Sequence, residues 1–400
     1  MDPNEGGPTP GSVGYEPVPV KDLLVEMKDT AELLIDLAYS AVLHDGGVIA
    51  DEVLRLERRM NILELRARMS LLMAARSPTD AETLTPVLGI VSATGQISDA
   101  TADVAAIVHD EVGLPEALRT AIPDAVETVA RGVVDADSPY AGRTLGGIDL
   151  ESDTGVRLVA IRRGDDWIHD PGPEAIVEPT DVAFLRGAEE ALGGVYERLT
   201  GERYDPPATP APEIADLDRA VTTIVLMKDL SELAVDLAYG SVLFDDPELA
   251  EEVRTVEVEV DALYERLEAW TLRAARDVDD PISLRGLLRI GAATEAISDA
   301  ALVISEGILR GIDVHPVVEL AVGESEEVIV RAVIEDGSDL VGVKLDDGKP
   351  VDGPRVTIGA IRRPGEGWLL SPATTLQAGD VAIAKGTQAA TGAFGERARR

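Results

Sequence analysis

The sequence predicts an α+β multidomain protein, in which two three-helix bundles alternate with two small α+β domains as a tandem duplication. Three observations predict this organisation. The chain of 400 residues matches itself when it is shifted by 200 positions. Within each half, apolar residues first recur at the spacing of helices and later form short β-branched runs. A proline-rich segment separates the halves.

The internal repeat is visible in several matching segments. About two fifths of the positions from 27 to 100 are identical to the positions 200 residues later, which indicates that one ancestral unit was duplicated. The clearest matches are Met27-Lys28-Asp29 with Met227-Lys228-Asp229, Asp36-Leu-Ala-Tyr39 with Asp236-Leu-Ala-Tyr239, Ile97-Ser-Asp-Ala100 with Ile297-Ser-Asp-Ala300, and Ala160-Ile-Arg-Arg163 with Ala360-Ile-Arg-Arg363.

Changes of pattern along the chain give the expected domain boundaries. The linker contains four prolines between Tyr204 and Pro212, which favour a stiff and extended spacer. We expect a disordered tail over 1–17, a first bundle over 18–123, a first small domain over 124–200, the linker over 201–214, a second bundle over 215–322 and a second small domain over 323–400.

The composition excludes several classes of function. Asp and Glu number 74 against 36 Lys and Arg, and a net charge of −38 repels nucleic acids and anionic lipids. The chain has no cysteine, which excludes thiol catalysis and thiolate zinc sites. The carboxylate excess and the scarcity of lysine are typical of a halophilic protein. Because no signal peptide and no long apolar run occur, we expect a soluble, cytoplasmic protein.

The helical part of the second half carries six carboxylates that could bind a metal ion. They form pairs four residues apart, and such pairs project from one helix face about 6 Å apart at Cβ. Oxygen ligands favour Mg²⁺, Mn²⁺ or Ca²⁺. A solvated acidic face in a halophilic protein is the alternative. The six residues are Glu232 and Asp236 on helix one, Glu257 and Asp261 on helix two, and Glu295 and Asp299 on helix three.

The bundle motif resembles a known family. The segment Ala293-Thr-Glu-Ala-Ile-Ser-Asp-Ala300, taken with the pair at 232 and 236, is similar to the repeated carboxylate pattern of PhoU-type bundles. That resemblance implies a link to transporter regulation and metal clusters on a helical face. Two departures matter, because Ala296 replaces a basic residue common in the family and Gly95 replaces the counterpart of Glu295. We expect no metal site in the first bundle.

The strand-rich part of each half resembles a second family. The order of signals is similar to the C-terminal domain of RCK or TrkA-type regulators: the turn Ser138-Pro-Tyr-Ala-Gly-Arg-Thr-Leu145, a strand ending at Arg163, Trp167 before Pro171, and a later Asp-Val strand. The resemblance implies domains that dimerise and bind nucleotides or ions to gate a cation channel or transporter. In the second half, residues 346–354 predict a loop and a weakened ligand site.

Four arginines are the candidate effector-binding residues. Adjacent side chains on a strand point to opposite faces, so one arginine of each pair could bind an anionic effector. Pairing of both arginines with surface carboxylates is the alternative reading. The candidates are Arg162, Arg163, Arg362 and Arg363.

Patterns of known catalytic sites do not occur in the sequence. There is no His-Glu-x-x-His, Gly-x-Ser-x-Gly or P-loop motif, and none of the four histidines has a histidine at the matching position of the other half. No glycine-rich turn follows a strand, so neither NAD nor ATP is implied. We expect no enzyme and no catalytic residue.

These observations predict a cytoplasmic regulator that associates peripherally with a membrane cation channel or transporter, with potassium as the expected ion. A small effector, of which nucleotides are one class, would bind where the two small domains pair as a pseudo-dimer within one chain, and the chain could also form homo-oligomers. The sequence implies no cofactor beyond a divalent cation (Mg²⁺, Mn²⁺ or Ca²⁺) on the bundle or a nucleotide as effector. The alternative function is divalent-metal binding, or regulation of magnesium transport, through the carboxylate faces of the bundles.

Overall fold

A computed structural model gives the fold of the chain. The predicted tail over 1–17 and most of the predicted linker lie outside the residues that the structure describes. The described residues are 19–43, 46–110, 112–115, 118, 128–148, 150, 154–164, 166–169, 171–187, 189–204, 214–312, 328–346, 349–350, 356–365, 367–370 and 374–399.

The first bundle contains the three predicted helices, α1 (Val20–Leu43), α2 (Gly47–Ala74) and α3 (Pro78–His109). Each helix buries one apolar stripe, which is the reason that the three pack together. The turn before α3 starts that helix, because the Ser77 hydroxyl accepts a hydrogen bond from the Asp80 N–H at 3.1 Å and so caps its first turn.

The second bundle repeats this arrangement with α6 (Ala215–Leu243), α7 (Pro247–Ala274) and α8 (Arg285–Leu309). The predicted start of its third helix at Asp280 is confirmed. The Asp280 carboxylate accepts a hydrogen bond from the Ile282 N–H at 3.0 Å, and one 3₁₀ turn (Pro281–Leu284) leads into α8.

The two bundles are joined along α3 and α8, which form the most extensive contact between the halves. Two tyrosines cross between the halves with near-twofold symmetry. The Tyr39 hydroxyl lies 2.6 Å from the Thr294 hydroxyl, and the Tyr239 hydroxyl lies 2.7 Å from the Thr94 hydroxyl. Because each threonine donates its proton to a backbone carbonyl of its own helix, each tyrosine is the donor to the other half.

Each small domain is a four-stranded antiparallel sheet closed by one helix. The first sheet has the strand order β1-β4-β2-β3 and the second has the matching order β5-β10-β8-β9. The strands are β1 (Thr128–Val133), β2 (Arg157–Arg163), β3 (Asp166–His169), β4 (Val182–Gly187), β5 (Val328–Val333), β8 (Thr357–Arg363), β9 (Gly367–Leu370) and β10 (Val381–Gly386), and the closing helices are α5 (Glu189–Thr200) and α9 (Gln388–Ala398).

The two small domains differ after the Ser-x-x-x-Gly turn. The first half has a short helix, α4 (Leu145–Ile148), at this point. The second half has a hairpin of two very short strands, β6 (Leu345–Asp346) and β7 (Lys349–Pro350), where the sequence predicts only a loop. Asp346 pairs with Lys349 across these strands, and residues 347–348 and 351–354 of the predicted loop lie outside the described residues.

Both faces of each sheet are covered within the chain. In the first sheet, Ala160 and Phe184 belong to the same apolar core as the bundle, whereas Leu158, Ile161 and Leu185 pack in the small domain's own core with α5. The sequence led us to expect that the two small domains pair with each other in one chain. Among the described residues the halves are joined by bundle helices instead, because each sheet already packs on its own bundle.

Among the described residues, no helix combines the length and the hydropathy that a membrane-spanning segment needs.

The crossed tyrosines give a test of how the halves are joined. We expect Tyr39→Phe to lower the free energy of unfolding by about 1 kcal/mol, and Thr294→Val to lower it by at least as much because it also removes the bond to the Ile290 carbonyl. The double variant should lose less than the sum, because both changes remove the same Tyr39–Thr294 hydrogen bond. Urea denaturation of the wild type, the two single variants and the double variant measures this coupling. Strictly additive losses would contradict the contact.

Candidate functional site

The outer face of the second bundle gathers the candidate metal ligands of α7 and α8. Carboxylate oxygens of Glu257, Asp261 and Asp299 lie within 4.8 Å of one another. Glu295 lies close enough to add its charge. Burial raises the pKa of Glu295, and the carboxylates of Asp299, Asp261 and Glu257 raise it further. Mutual repulsion of this kind is relieved by a bound divalent cation, and oxygen donors suit Mg²⁺ or Mn²⁺.

The other two predicted ligands lie elsewhere. Glu232 and Asp236 are on the side of α6 that faces α1, where the charges of Glu32 and Lys28 act on Asp236. The structure therefore divides the six predicted carboxylates into an outer group of four and an inner group of two. A motif spacing places two residues on one side of a helix, but it does not say which neighbour that side meets.

On the matching face of the first bundle, Glu64 is paired with a cation and Glu57 accepts a hydrogen bond from an amide. A Cβ atom at Gly95 would lie 2.9 Å from the Glu64 carboxylate, so that side chain fills the space that the counterpart of Glu295 would use. Arg68 pairs with Glu64 at 2.5 Å. The Asn61 amide donates to Glu57 at 2.6 Å. This arrangement supplies fewer free oxygen ligands than the second bundle.

A buried glutamate of α7 ties the second small domain to its bundle. Arg362 donates to both oxygens of Glu252 at 2.9 and 2.7 Å, and Arg331 donates to one of them at 2.8 Å. Burial alone would raise the pKa of Glu252, but the hydrogen bonds from Arg362 and Arg331 outweigh burial and lower the pKa. The first half repeats the link with Glu52 as the buried partner of Arg162.

The other arginine of each predicted pair stays within its small domain. Arg163 binds the buried Asp181 through two hydrogen bonds of 2.8 Å, and Arg363 binds the buried Asp380 at 2.8 and 2.9 Å. The adjacent arginines therefore point in opposite directions, as the strand geometry requires. All four predicted effector-binding arginines have carboxylate partners in the structure, and effector binding by them stays a prediction.

Sequence reasoning missed the buried glutamates. Glu52 and Glu252 occupy core-facing positions of helix two in both halves, and a carboxylate kept at the same core position after duplication was the available signal. A buried carboxylate needs a cation beside it. These glutamates pair with Arg162 and Arg362, which lie 110 residues further along the chain, and local spacing cannot predict such a distant partner.

A second charged group lies where α1 faces α6. Lys28 pairs with Glu32 at 2.6 Å, and Lys228 pairs with Glu232 at 2.8 Å. The Asp36 carboxylate accepts a hydrogen bond at 3.0 Å from Arg186, which is on β4 of the small domain. Burial raises the pKa of Asp36 to about 6; Arg186 opposes this rise and Glu232 adds to it. Charges of both halves and of the first sheet thus act on one carboxylate.

The second half matches this group through Lys385 on β10. Burial raises the pKa of Asp236, and the Lys385 ammonium opposes that rise. Each sheet therefore places a cation beside the first helix of its own bundle, close to the charges of the other half. This connection reaches from a small domain to the contact between the bundles.

His169 lies in the contact between β3 and the first bundle. Its imidazole stacks on Trp167, and its Nε2 atom lies 3.5 Å from the Thr30 hydroxyl of α1. Burial, together with the nearby Arg59 of α2, lowers the pKa of His169 to about 4 against the opposite effect of Glu26. The imidazole is therefore neutral near pH 7.

Comparison with protein families identifies the parts of the chain. The PhoU domain model matches residues 24–108 and 224–308, which are the two bundles. The TrkA-C domain model matches residues 129–200 and 329–398, which are the two small domains. Both are families of regulatory domains. The chain contains two PhoU domains and two TrkA-C domains in tandem alternation.

Solved structures show likeness to the parts of the chain. PhoU from Pseudomonas aeruginosa is 15% identical, covering 73% of this chain and 96% of that chain with a TM-score of 0.41. The RCK_C domain dimer of S. agalactiae BusR in complex with c-di-AMP is 30% identical, covering 16% of this chain and 84% of that chain, TM-score 0.16. The GsuK RCK domain is 13% identical, covering 69% of this chain and 64% of that chain with a TM-score of 0.19. None of the curated proteins compared with the chain matches it.

The outer carboxylates predict selective metal binding by the second bundle. We expect Asp261→Asn, which copies the first bundle's Asn61, to weaken Mn²⁺ binding at least tenfold because it removes a charged ligand. Glu57→Gln in the first bundle is the matched control and should leave the affinity unchanged. Isothermal titration calorimetry measures both. Equal affinities of the wild type and Asp261→Asn would exclude this site.

The buried histidine predicts acid sensitivity of the first small domain. Because the pKa of His169 is lowered to about 4 from its usual 6.5, the unfolded chain binds more protons between these values. The stabilising contribution of the neutral imidazole is complete above about pH 6.5 and falls as the pH drops toward 4. His169→Leu, which copies Leu370 of the second half, should flatten the dependence of the melting temperature on pH in this window. An unchanged slope would show that other groups cause it.

Proposed function

We propose that this chain regulates a membrane cation channel or transporter, with potassium as the transported ion, and that it acts by binding rather than by catalysis. The observation that carries the proposal is the charged connection from each sheet to its bundle. A TrkA-C domain on one side of that connection and a PhoU domain on the other provide a sensor and a responding part.

The connection supports a specific sequence of events. An effector that binds a small domain changes the position of Arg186 relative to Asp36, and the loss of that contact alters the charges between α1 and α6. The bundles then change their relative orientation. The free energy available for the change is limited to the effector's difference in affinity between the two arrangements.

The four predicted arginines favour a negatively charged effector. An anion, with nucleotides as one class, competes with Glu52 and Glu252 for Arg162 and Arg362, and with the domain's own aspartates for Arg163 and Arg363. Binding of the anion and release of the small domain from its bundle are then one exchange of partners. We further propose that the small domains pair between chains, in a homo-oligomer at the membrane transporter, because the described elements of the two small domains make no extensive contact with each other within one chain.

A second candidate function is divalent-metal binding, with regulation of magnesium transport as its form. The outer group of Glu257, Asp261, Asp299 and Glu295 favours it, because four like charges on one face repel one another until a cation binds. In this version the bundle is the sensor and the small domains hold the bundles in place.

Ion uptake in cells separates these functions. The gene is deleted in the source organism and restored as the wild type, as the double variant Arg186→Gln with Lys385→Gln, or as the control Arg198→Gln, whose side chain is exposed on α5. We expect the deletion to change the rate of Rb⁺ uptake, the wild type and the control to restore it, and the double variant to fail although it is folded.

The outcomes are distinct. Rb⁺ uptake that is the same with and without the gene would exclude the potassium function. A change confined to Mg²⁺ uptake, abolished by Asp261→Asn, would support the second candidate instead. Restoration by the double variant would show that regulation does not pass through the charged connection.

A further inference from the structure

The two halves hold their small domains with unequal sets of hydrogen bonds. In the second half, Arg362 and Arg331 together make four charge-assisted hydrogen bonds of 2.7 to 2.9 Å to Glu252 and Glu248. In the first half, Arg162 makes one such bond to Glu52 at 2.7 Å. The Arg131 contact to the same oxygen of Glu52 is stretched to 3.4 Å. Such bonds are strongest when both are short and parallel.

Three polar atoms in the first contact lack hydrogen-bond partners among the described residues, and the Arg55 guanidinium approaches one of them, Glu52 Oε2, only to 3.9 Å. The Glu52 Oε2, Arg162 Nε and His169 Nδ1 atoms are buried, and within the described part of the chain none of them has a hydrogen-bond partner. In the second half both Glu252 oxygens and Arg362 Nε are bonded, and Leu370 replaces the histidine. A buried polar atom without a partner favours the state in which water reaches it.

One substitution between the halves accounts for part of this difference. Glu248 at the start of α7 gives Arg331 a second carboxylate at 2.8 Å. Its counterpart in α2 is Val48, which is exposed and offers Arg131 no charge. Because α2 has no carboxylate at position 48, Arg131 contacts the bundle through Glu52 Oε1, the same oxygen that accepts the bond from Arg162.

The Arg186 bond to Asp36 has a counterpart in Lys385 beside Asp236, but two weaker contacts favour the first half, the long one of 3.5 Å between Thr30 and His169 and a shorter one from Ser40. The Ser40 hydroxyl of α1 donates to the Val129 carbonyl of β1 at 2.6 Å, whereas the second half has Gly240 at this position. This bond joins two neutral groups, and neutral bonds are roughly half as strong as charge-assisted ones. The Ser40 bond therefore compensates for only part of the charge-assisted hydrogen bonds that the second half has and the first half lacks.

We propose that the first small domain is built to leave its bundle, while the second small domain is a fixed anchor. The first domain opens by separating its four-stranded sheet from α1 and α2, which breaks the Ser40 and Arg186 contacts as well, and water then solvates Glu52, Arg162 and His169. As a regulatory device this rests on the proposed function, and the first domain is then the part that answers the effector. The difference in opening itself does not rest on it.

Thiol labelling tests the difference directly, because the chain contains no cysteine. Ala160→Cys on β2 and Ala360→Cys on β8 are matched positions, both fully buried in the core shared with the bundle. Ala238→Cys inside α6, also fully buried, reports unfolding of the bundle. Labelling by a thiol reagent under native conditions measures how often each position opens.

We expect the thiol at position 160 to react at least ten times faster than the thiol at 360, and faster than the thiol at 238. Val48→Glu, a change at an exposed position, should slow the reaction at 160 and leave 360 unchanged. Glu252→Gln should speed the reaction at 360.

Two outcomes would overturn the proposal. Equal rates at 160 and 360 would show that the domains open alike, and a rate at 160 equal to that at 238 would show that the bundle must unfold first. Labelling needs no transporter, so either result is separate from the ion-uptake experiment. If the thiols at 160 and 360 react at unequal rates but the deletion strain takes up Rb⁺ normally, the opening of the first small domain would be supported and the proposed potassium function would be excluded.

Discussion

The architecture depends on two buried glutamates, each of which is neutralised by arginines from another domain. A chain with a net charge of −38 has carboxylates in excess, and a carboxylate in the core is stable only beside a cation. Glu52 and Glu252 draw Arg162 and Arg362 onto helix two and so fix each sheet against its bundle. Covering of the sheet faces and contact with the first helices follow from this placement.

Duplication allowed the halves to take different roles on one scaffold. The second half keeps the uncompensated outer carboxylates and the fully bonded glutamate, whereas the first half neutralises Glu64 with Arg68 and leaves atoms around Glu52 unbonded. Because the fold is the same in both halves, these differences are not demanded by folding. They are sites where the sequence was free to change once a second copy carried the original contact.

The repeat could be predicted from matching segments, the helices and the strand-rich segments from local periodicity, and the cap at Asp280 from chemistry within two residues. The order of the strands in each sheet depends on contacts that are distant in sequence and was not predicted. The partners of Arg162 and Arg362 could not be predicted, since they lie 110 positions away. The spacing of the carboxylates predicted only part of the candidate metal site. Spacing placed Glu257 with Asp261 and Glu295 with Asp299 on shared helix sides, but it could not show that these two sides meet, nor that Asp236 faces α1 rather than the outer side.

The crossed tyrosines carry an evolutionary consequence. Tyr39 and Tyr239 each need a threonine from the opposite copy, so a single unit has an incomplete core. An ancestor with one copy would have made these contacts between two molecules, and its assembly would have varied with its abundance. Fusing the copies turned that encounter into an intramolecular one, whose strength is set by chain connectivity and is independent of how much protein the cell makes.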